Sequence, residues 1–170
     1  VDTHIAYCEA CGKDATWMSY PAVEYENHTY IYSGHYYVDS EDTVVNWKQK
    51  FIVGSDHVCL DLNGKTLVGS SRAFDITKGV LNIMDTVGGG SVTSSGPFNV
   101  DTVYGGTFFV REPSTLNLYS GKLTYTLPTD GRAYVARGGV AYVRGAMNIY
   151  GGEVSGGAAK AGGNIYADAA

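Results

Sequence analysis

Arg137-Gly138-Gly139-Val140-Ala141-Tyr142-Val143-Arg144, followed by Met147-Asn148-Ile149-Tyr150-Gly151-Gly152, is the stretch on which the fold turns. The same order of residue types stands upstream in Tyr104-Gly105-Gly106-Thr107-Phe108-Phe109-Val110-Arg111 with Leu116-Asn117-Leu118-Tyr119-Ser120-Gly121. It starts again in Ala161-Gly162-Gly163-Asn164-Ile165-Tyr166-Ala167. Earlier, Arg72-Ala73-Phe74-Asp75-Ile76 leads into Leu81-Asn82-Ile83-Met84-Asp85, and Val58-Cys59-Leu60-Asp61-Leu62-Asn63-Gly64 reads as a further copy of the second half. The Gly-Gly pairs are 33 residues apart between Gly105 and Gly138 and 24 apart between Gly138 and Gly162. Unequal spacing excludes a strict short repeat and fits a solenoid whose corners carry insertions of different length.

Within each unit the side chains alternate, Leu116 and Leu118 on one face, Asn117 and Tyr119 on the other; a period of two is that of a strand. Each unit reads as a strand such as Phe108–Arg111, a turn, a strand such as Leu116–Tyr119, a glycine corner and a short third strand. The third strands are expected at Thr66–Val68, Ser91–Thr93, Lys122–Thr124 and Glu153–Ser155. Three short strands per repeat with no helix between them predict an all-β chain, a right-handed parallel β-helix: a three-sheet solenoid of about four coils with an irregular N-terminal cap. Leu60, Leu81, Leu116 and Met147 are expected to form one inner row, and Leu62, Ile83, Leu118 and Ile149 the next. Asp61, Asn82, Asn117 and Asn148 are expected as an outward polar ladder. An antiparallel sandwich explains the strand count but not the repeated order of motifs.

Composition agrees. In 170 residues there are 23 Gly against four Pro, which argues for many tight turns, and 14 Tyr, which suit broad aromatic strand faces. A net charge of −5 gives no reason to expect a nucleic-acid partner or an anionic membrane surface, and no run approaches the roughly 20 apolar residues of a membrane helix. The chain begins at Val1, which reads as a processed mature protein or an excised piece.

Residues 1–50 differ from the rest. They hold both Trp, three of the four His and two of the three Cys. Tyr30-Ile31-Tyr32-Ser33-Gly34-His35-Tyr36-Tyr37-Val38 alternates as a Tyr-rich hairpin about Ser33-Gly34. Asp39-Ser40-Glu41-Asp42 reads as a polar turn, and Val44–Val53 as the lead into the first coil. The expected organisation is therefore a cap at 1–50, covering the first coil's core, and parallel coils at 51–170.

Several of these phrases resemble a group of large surface proteins: Gly34-His35-Tyr36-Tyr37-Val38, Val58-Cys59-Leu60-Asp61-Leu62-Asn63-Gly64-Lys65-Thr66-Leu67, Leu118-Tyr119-Ser120-Gly121, Asn148-Ile149-Tyr150-Gly151-Gly152-Glu153-Val154-Ser155-Gly156-Gly157 and His4-Ile5-Ala6-Tyr7-Cys8-Glu9-Ala10-Cys11. The group is the pectate-lyase-like β-helix repeat proteins secreted by anaerobic gut Gram-positive bacteria, and the likeness is to their N-terminal coils. It implies a secreted or cell-surface location and a role in binding or processing carbohydrate.

For defined chemistry the strongest motif is His4-x3-Cys8-x2-Cys11. Two thiolates two residues apart in a knuckle, with an imidazole nearby, supply three ligands for a structural zinc ion; His28, His35 or His57 is expected as the fourth, ahead of Cys59. Such a site would pin an extension that lacks its own core. A Cys8–Cys11 disulfide and a pair of free thiols are the rival readings. Cys59, between Val58 and Leu60, reads as a small packed residue.

Catalysis has weaker support. Glycoside hydrolysis needs two carboxylates about 5–10 Å apart, whereas Asp61, Asp75, Asp85, Asp101, Glu112, Asp130 and Glu153 are scattered along the chain. The chain therefore reads as a non-catalytic stalk or adhesin scaffold, with part of a β-helix polysaccharide lyase or glycoside hydrolase as the alternative. For a polysaccharide or host glycan, the expected contacts are Tyr119 and Tyr150, stacked one coil apart beside Asn117 and Asn148. Ala161–Ala170 begins a coil without its second and third strands, so a longer parent, or end-to-end pairing of open β-helix ends into a homo-oligomer, is expected.

Overall fold

The computed structural model describes residues 2–20, 23–25, 28–47, 51–54, 57–69, 72–95, 103–127 and 135–168. Among them every regular element is a strand, and no helix is long and apolar enough to cross a membrane. An antiparallel pair opens the chain, β1 (Thr3–Cys8) with β2 (Lys13–Ser19), followed by a short one, β3 (Val23–Tyr25) with β4 (His28–Ile31).

From β4 onward the chain deals its strands in rotation to three sheets. The first takes β4, β7 (Phe51–Val53), β10 (Phe74–Ile76), β13 (Phe108–Val110), β16 (Ala141–Val143) and β19 (Ile165–Ala167). The second takes β5 (Gly34–Tyr37), β8 (His57–Asp61), β11 (Val80–Met84), β14 (Thr115–Leu118) and β17 (Ala146–Ile149), with β2 and β1 beyond β5. The third takes β6 (Val44–Trp47), β9 (Thr66–Gly69), β12 (Ser91–Ser94), β15 (Lys122–Leu123) and β18 (Glu153–Val154). From β4 to β16, each strand pairs in parallel with the strand three places further along the chain. The fold is all-β with parallel sheets, and the four expected third strands are β9, β12, β15 and β18.

The main core is the stack of inward residues from all three sheets, among them Val58, Leu60, Leu67, Phe74, Leu81, Ile83, Val92, Phe108, Leu116, Leu118 and Leu123, all without solvent exposure. Like sits on like: the Phe74 and Phe108 rings stack at 5.4 Å and 7°. The Gly-Gly signature has a steric cause. Gly106 N–H donates to Gly138 O and Gly139 N–H to Gly163 O, each at 3.0 Å, so successive corners lie backbone on backbone. A Cβ on Gly139 would fall 2.3 Å from both Ala158 N and Gly163 O, which no side chain can satisfy.

Two expectations are corrected. First, within the second sheet β8 is shifted by two residues against β11, while β11, β14 and β17 pair in the expected register. Leu81, with Leu116 on its far side, stands opposite Val58, not Leu60, and Leu60 stands opposite Ile83. A slip of two preserves the face of every side chain, so the apolar residues remain inward while the outward partners change. Cys59, not Asp61, heads the row of Asn82, Asn117 and Asn148. Asp61 instead accepts bonds from Asn63 N, Thr86 N and Thr86 Oγ1 at the following corner. Second, Tyr30–Val38 is not a hairpin. β4 and β5 belong to different sheets and the chain turns a corner at Ser33-Gly34, where the Tyr36 hydroxyl donates to Tyr32 O at 2.8 Å. Parallel pairing thus begins with β2 and β5, at Met18 and Ser19, within the segment expected as cap.

β2 pairs with β5 only through Met18–Tyr36 and Ser19–Tyr37. The rest of the β1–β2 hairpin lies against the outer face of the second sheet. There Cys8 and Trp17 form a second, smaller core with Cys59 and Met84, flanked by Ala6, Ala15, Tyr37 and Tyr119.

Candidate metal centre

The hairpin tip is Cys8-Glu9-Ala10-Cys11-Gly12-Lys13. Gly12 takes a left-handed φ of 69°, and its N–H donates to Cys8 O at 2.8 Å, closing a tight turn between the two strands. Beneath the tip, His35 of β5 and Cys59 of β8 are direct cross-strand partners. Strands in a sheet lie about 4.8 Å apart, so two side chains on the same face at one register position converge. The turn supplies two donors and the cross-strand pair supplies two more.

The four ligand atoms, the sulfurs of Cys8, Cys11 and Cys59 and a ring nitrogen of His35, all lie within 4.8 Å of one another. Cys8 Sγ is 3.7 Å from Cys59 Sγ, and Cys11 Sγ is 3.3 Å from His35 Nε2. Cys8 and Cys59 are buried, Cys11 and His35 partly so, and all three cysteines are free thiols. The group could hold a metal ion.

Electrostatics point the same way. Burial pushes the Cys8 and Cys59 thiols up, and at Cys59 the neighbouring sulfurs of Cys8 and Cys11 push it further. Burial, aided by His57 and Lys13, lowers His35, which keeps its imidazole neutral with a lone pair to give. The two buried sulfurs, Cys8 and Cys59, resist ionising on their own. A bound cation reverses that balance by taking the place of their protons.

Of the residues expected from the sequence, Cys8 and Cys11 are in the group and His4 is not. His4 sits opposite Trp17 in the hairpin, its ring 4.6 Å from that of Tyr37. His57, at the start of β8, lies just outside the four: its Nε2 is 3.3 Å from Cys59 Sγ and 3.7 Å from Cys11 Sγ. Cys59 was the residue hardest to find, because its role depends on the two-residue register just described. The Tyr119 and Tyr150 rings do stack, at 5.0 Å and 26°, with Tyr150 exposed. Tyr119 also packs against the hairpin. Asn117 and Asn148 stand beside them, Asn148 Nδ2 donating to Asn117 Oδ1 at 2.9 Å. No protein-family model, curated protein or solved structure matches the chain.

Proposed function

We propose that the chain is a non-catalytic scaffold module of a secreted or cell-surface protein: a right-handed parallel β-helix whose N-terminal hairpin is fastened to its outer face by a structural zinc ion. The observation that carries this reading is the meeting of Cys8 and Cys11 of the hairpin with His35 and Cys59 of the sheet. Three thiolates and one imidazole are a donor set suited to tetrahedral zinc. Zinc bonds of ~2.3 Å to sulfur and ~2.0 Å to nitrogen put tetrahedral edges at ~3.8 Å between sulfurs and ~3.5 Å between sulfur and nitrogen. The 3.7 Å and 3.3 Å separations found here are close to these. Outside the cell, three unpaired cysteines invite oxidation, and a metal would protect them. The rotation of strands through three sheets supports the β-helix. Its repeated residues are used in stacking, which supports a mechanical role.

The exposed Tyr150 stacked on Tyr119, with Asn148 alongside, supports a glycan contact on the same wall, the rings covering a sugar face and the amides its hydroxyls. Native mass spectrometry before and after chelation tests the zinc. One zinc per chain is expected, and a metal-free mass short by two hydrogens would mark a disulfide instead. A glycan array run beside lyase and reducing-end assays on the same polymers tests the remainder: retention without turnover is expected, and turnover lost on changing an acid of this chain would overturn it.

A further inference from the structure

The outward row on the second sheet ends at the metal centre. Asn148, Asn117, Asn82 and Cys59 occupy one register position on β17, β14, β11 and β8. Their hydrogen bonds all run one way. Asn148 Nδ2 donates to Asn117 Oδ1 at 2.9 Å, and Asn117 Nδ2 donates to Asn82 Oδ1 at 3.0 Å. Asn82 Nδ2 in turn donates to Cys59 Sγ, 3.6 Å away, and lies 3.3 Å from His57 Nε2, which stands on the same side of the amide, 3.3 Å from that sulfur. Asn82 is itself buried, at 2% exposure.

An amide side chain can turn over, exchanging its NH2 and its carbonyl. For Asn82 the two choices are unequal. With its NH2 toward Cys59, it donates to sulfur; turned over, its carbonyl lone pairs would face a negative thiolate in a dry site. Asn117 opposes the turning of Asn82 alone, which would set the two NH2 groups against each other and lose the bond from Asn117 Nδ2 to Asn82 Oδ1. The same logic passes to Asn148 one strand further out. Uniform ladders of this kind strengthen along their length, as each polarised amide becomes a better donor to the next.

We infer that the asparagine row is an oriented outer shell of the metal centre: Asn82 holds Cys59 as a ligating thiolate and positions the neighbouring His57, while Asn117, which hydrogen-bonds to Asn82 and Asn148 and to none of the four ligands, sets the orientation of Asn82. This rests on the zinc reading above. Asn82 and Asn117 are positioning residues; neither is a ligand. Outer-shell partners of this kind are typically worth ~10–100-fold in metal affinity.

The test uses the full chain loaded with Co²⁺, whose sulfur-to-metal charge-transfer bands report on the thiolates, together with Zn²⁺ competition against a chromophoric chelator. The variants are Asn82→Leu, which removes both donors at similar volume, and Asn117→Asp, which replaces a donor with an acceptor one strand further away. Asn82→Leu is expected to weaken Zn²⁺ binding by ~10–100-fold and to shift the charge-transfer band, and Asn117→Asp to shift it the same way with a smaller loss of about tenfold. Asn148→Leu, at the exposed end, serves as a reference and is expected to change affinity less than about threefold. Far-UV circular dichroism of each variant identifies any that fails to fold. If the wild type binds no metal, both the zinc reading and this inference fall. If the wild type binds metal and folded Asn82→Leu and Asn117→Asp keep its affinity and band positions, the zinc reading stands and the inference is overturned.

Discussion

On the inner face of the second sheet, Val58, Leu81 and Leu116 follow one another strand by strand; on its outer face Cys59, Asn82 and Asn117 do the same. The two faces share every backbone hydrogen bond yet are stabilised in different ways. The inner face is built by repetition. Each apolar side chain is covered above and below by another from the same row, so its stability is spread over many similar contacts. The outer face is built by convergence: a knuckle, a cross-strand His–Cys pair and a hairpin carrying Trp17 meet at one point. A repeated core resists through number, whereas a convergent one holds or opens as a unit.

That difference can be broken from either side. The largest effect is expected on the inner face. Phe108→Ala removes a fully buried ring stacked on Phe74 and leaves a void that neighbouring strands cannot fill. A loss of about 3–5 kcal/mol, read by urea unfolding, is expected, with inner and outer faces melting together. A loss under about 1 kcal/mol would mean that the rows repack freely.

A smaller and more local effect is expected on the outer face. Cys59→Ser, or chelation of the wild type, should loosen the hairpin while the sheets persist. In a Trp47→Phe background, the emission of Trp17, which is 1% exposed and donates from Nε1 to Ala6 O at 3.1 Å, should shift to longer wavelength. The far-UV circular dichroism should be retained, with a stability cost of about 1–3 kcal/mol from polar groups left unpaired around the site. Global unfolding on chelation would instead join the two cores into one cooperative unit. The smallest effect is expected at the rim, where Tyr150→Ala removes an exposed ring. Stability should change by no more than about 1 kcal/mol, while retention on any glycan that the array identifies should be lost.

The two faces also differed in how far the sequence revealed them. Repetition is written locally, so the third strands, the Gly-Gly corners and the inward alternation of Leu116 and Leu118 could be read from the chain itself. Convergence is not. The knuckle was visible because Cys8, Cys11 and Gly12 are neighbours, but its partners come from β5 and β8. His35 stood among three candidates with equal claim. Cys59 was obscured because Leu60-Asp61-Leu62 imitates Leu81-Asn82-Ile83 two residues out of register, and a slip of two leaves the apolar pattern intact. The supposed hairpin at Ser33-Gly34 failed for a related reason: alternation identifies strands on both sides of a turn but does not say whether they pair or pass into different sheets.

X-ray absorption at the zinc edge of the purified chain tests the metal-fastened outer core most directly. Three sulfurs at ~2.3 Å and one nitrogen at ~2.0 Å are expected, falling to two sulfurs in Cys59→Ser. A wild-type spectrum with two sulfurs or fewer, or one unchanged by Cys59→Ser, would contradict the account.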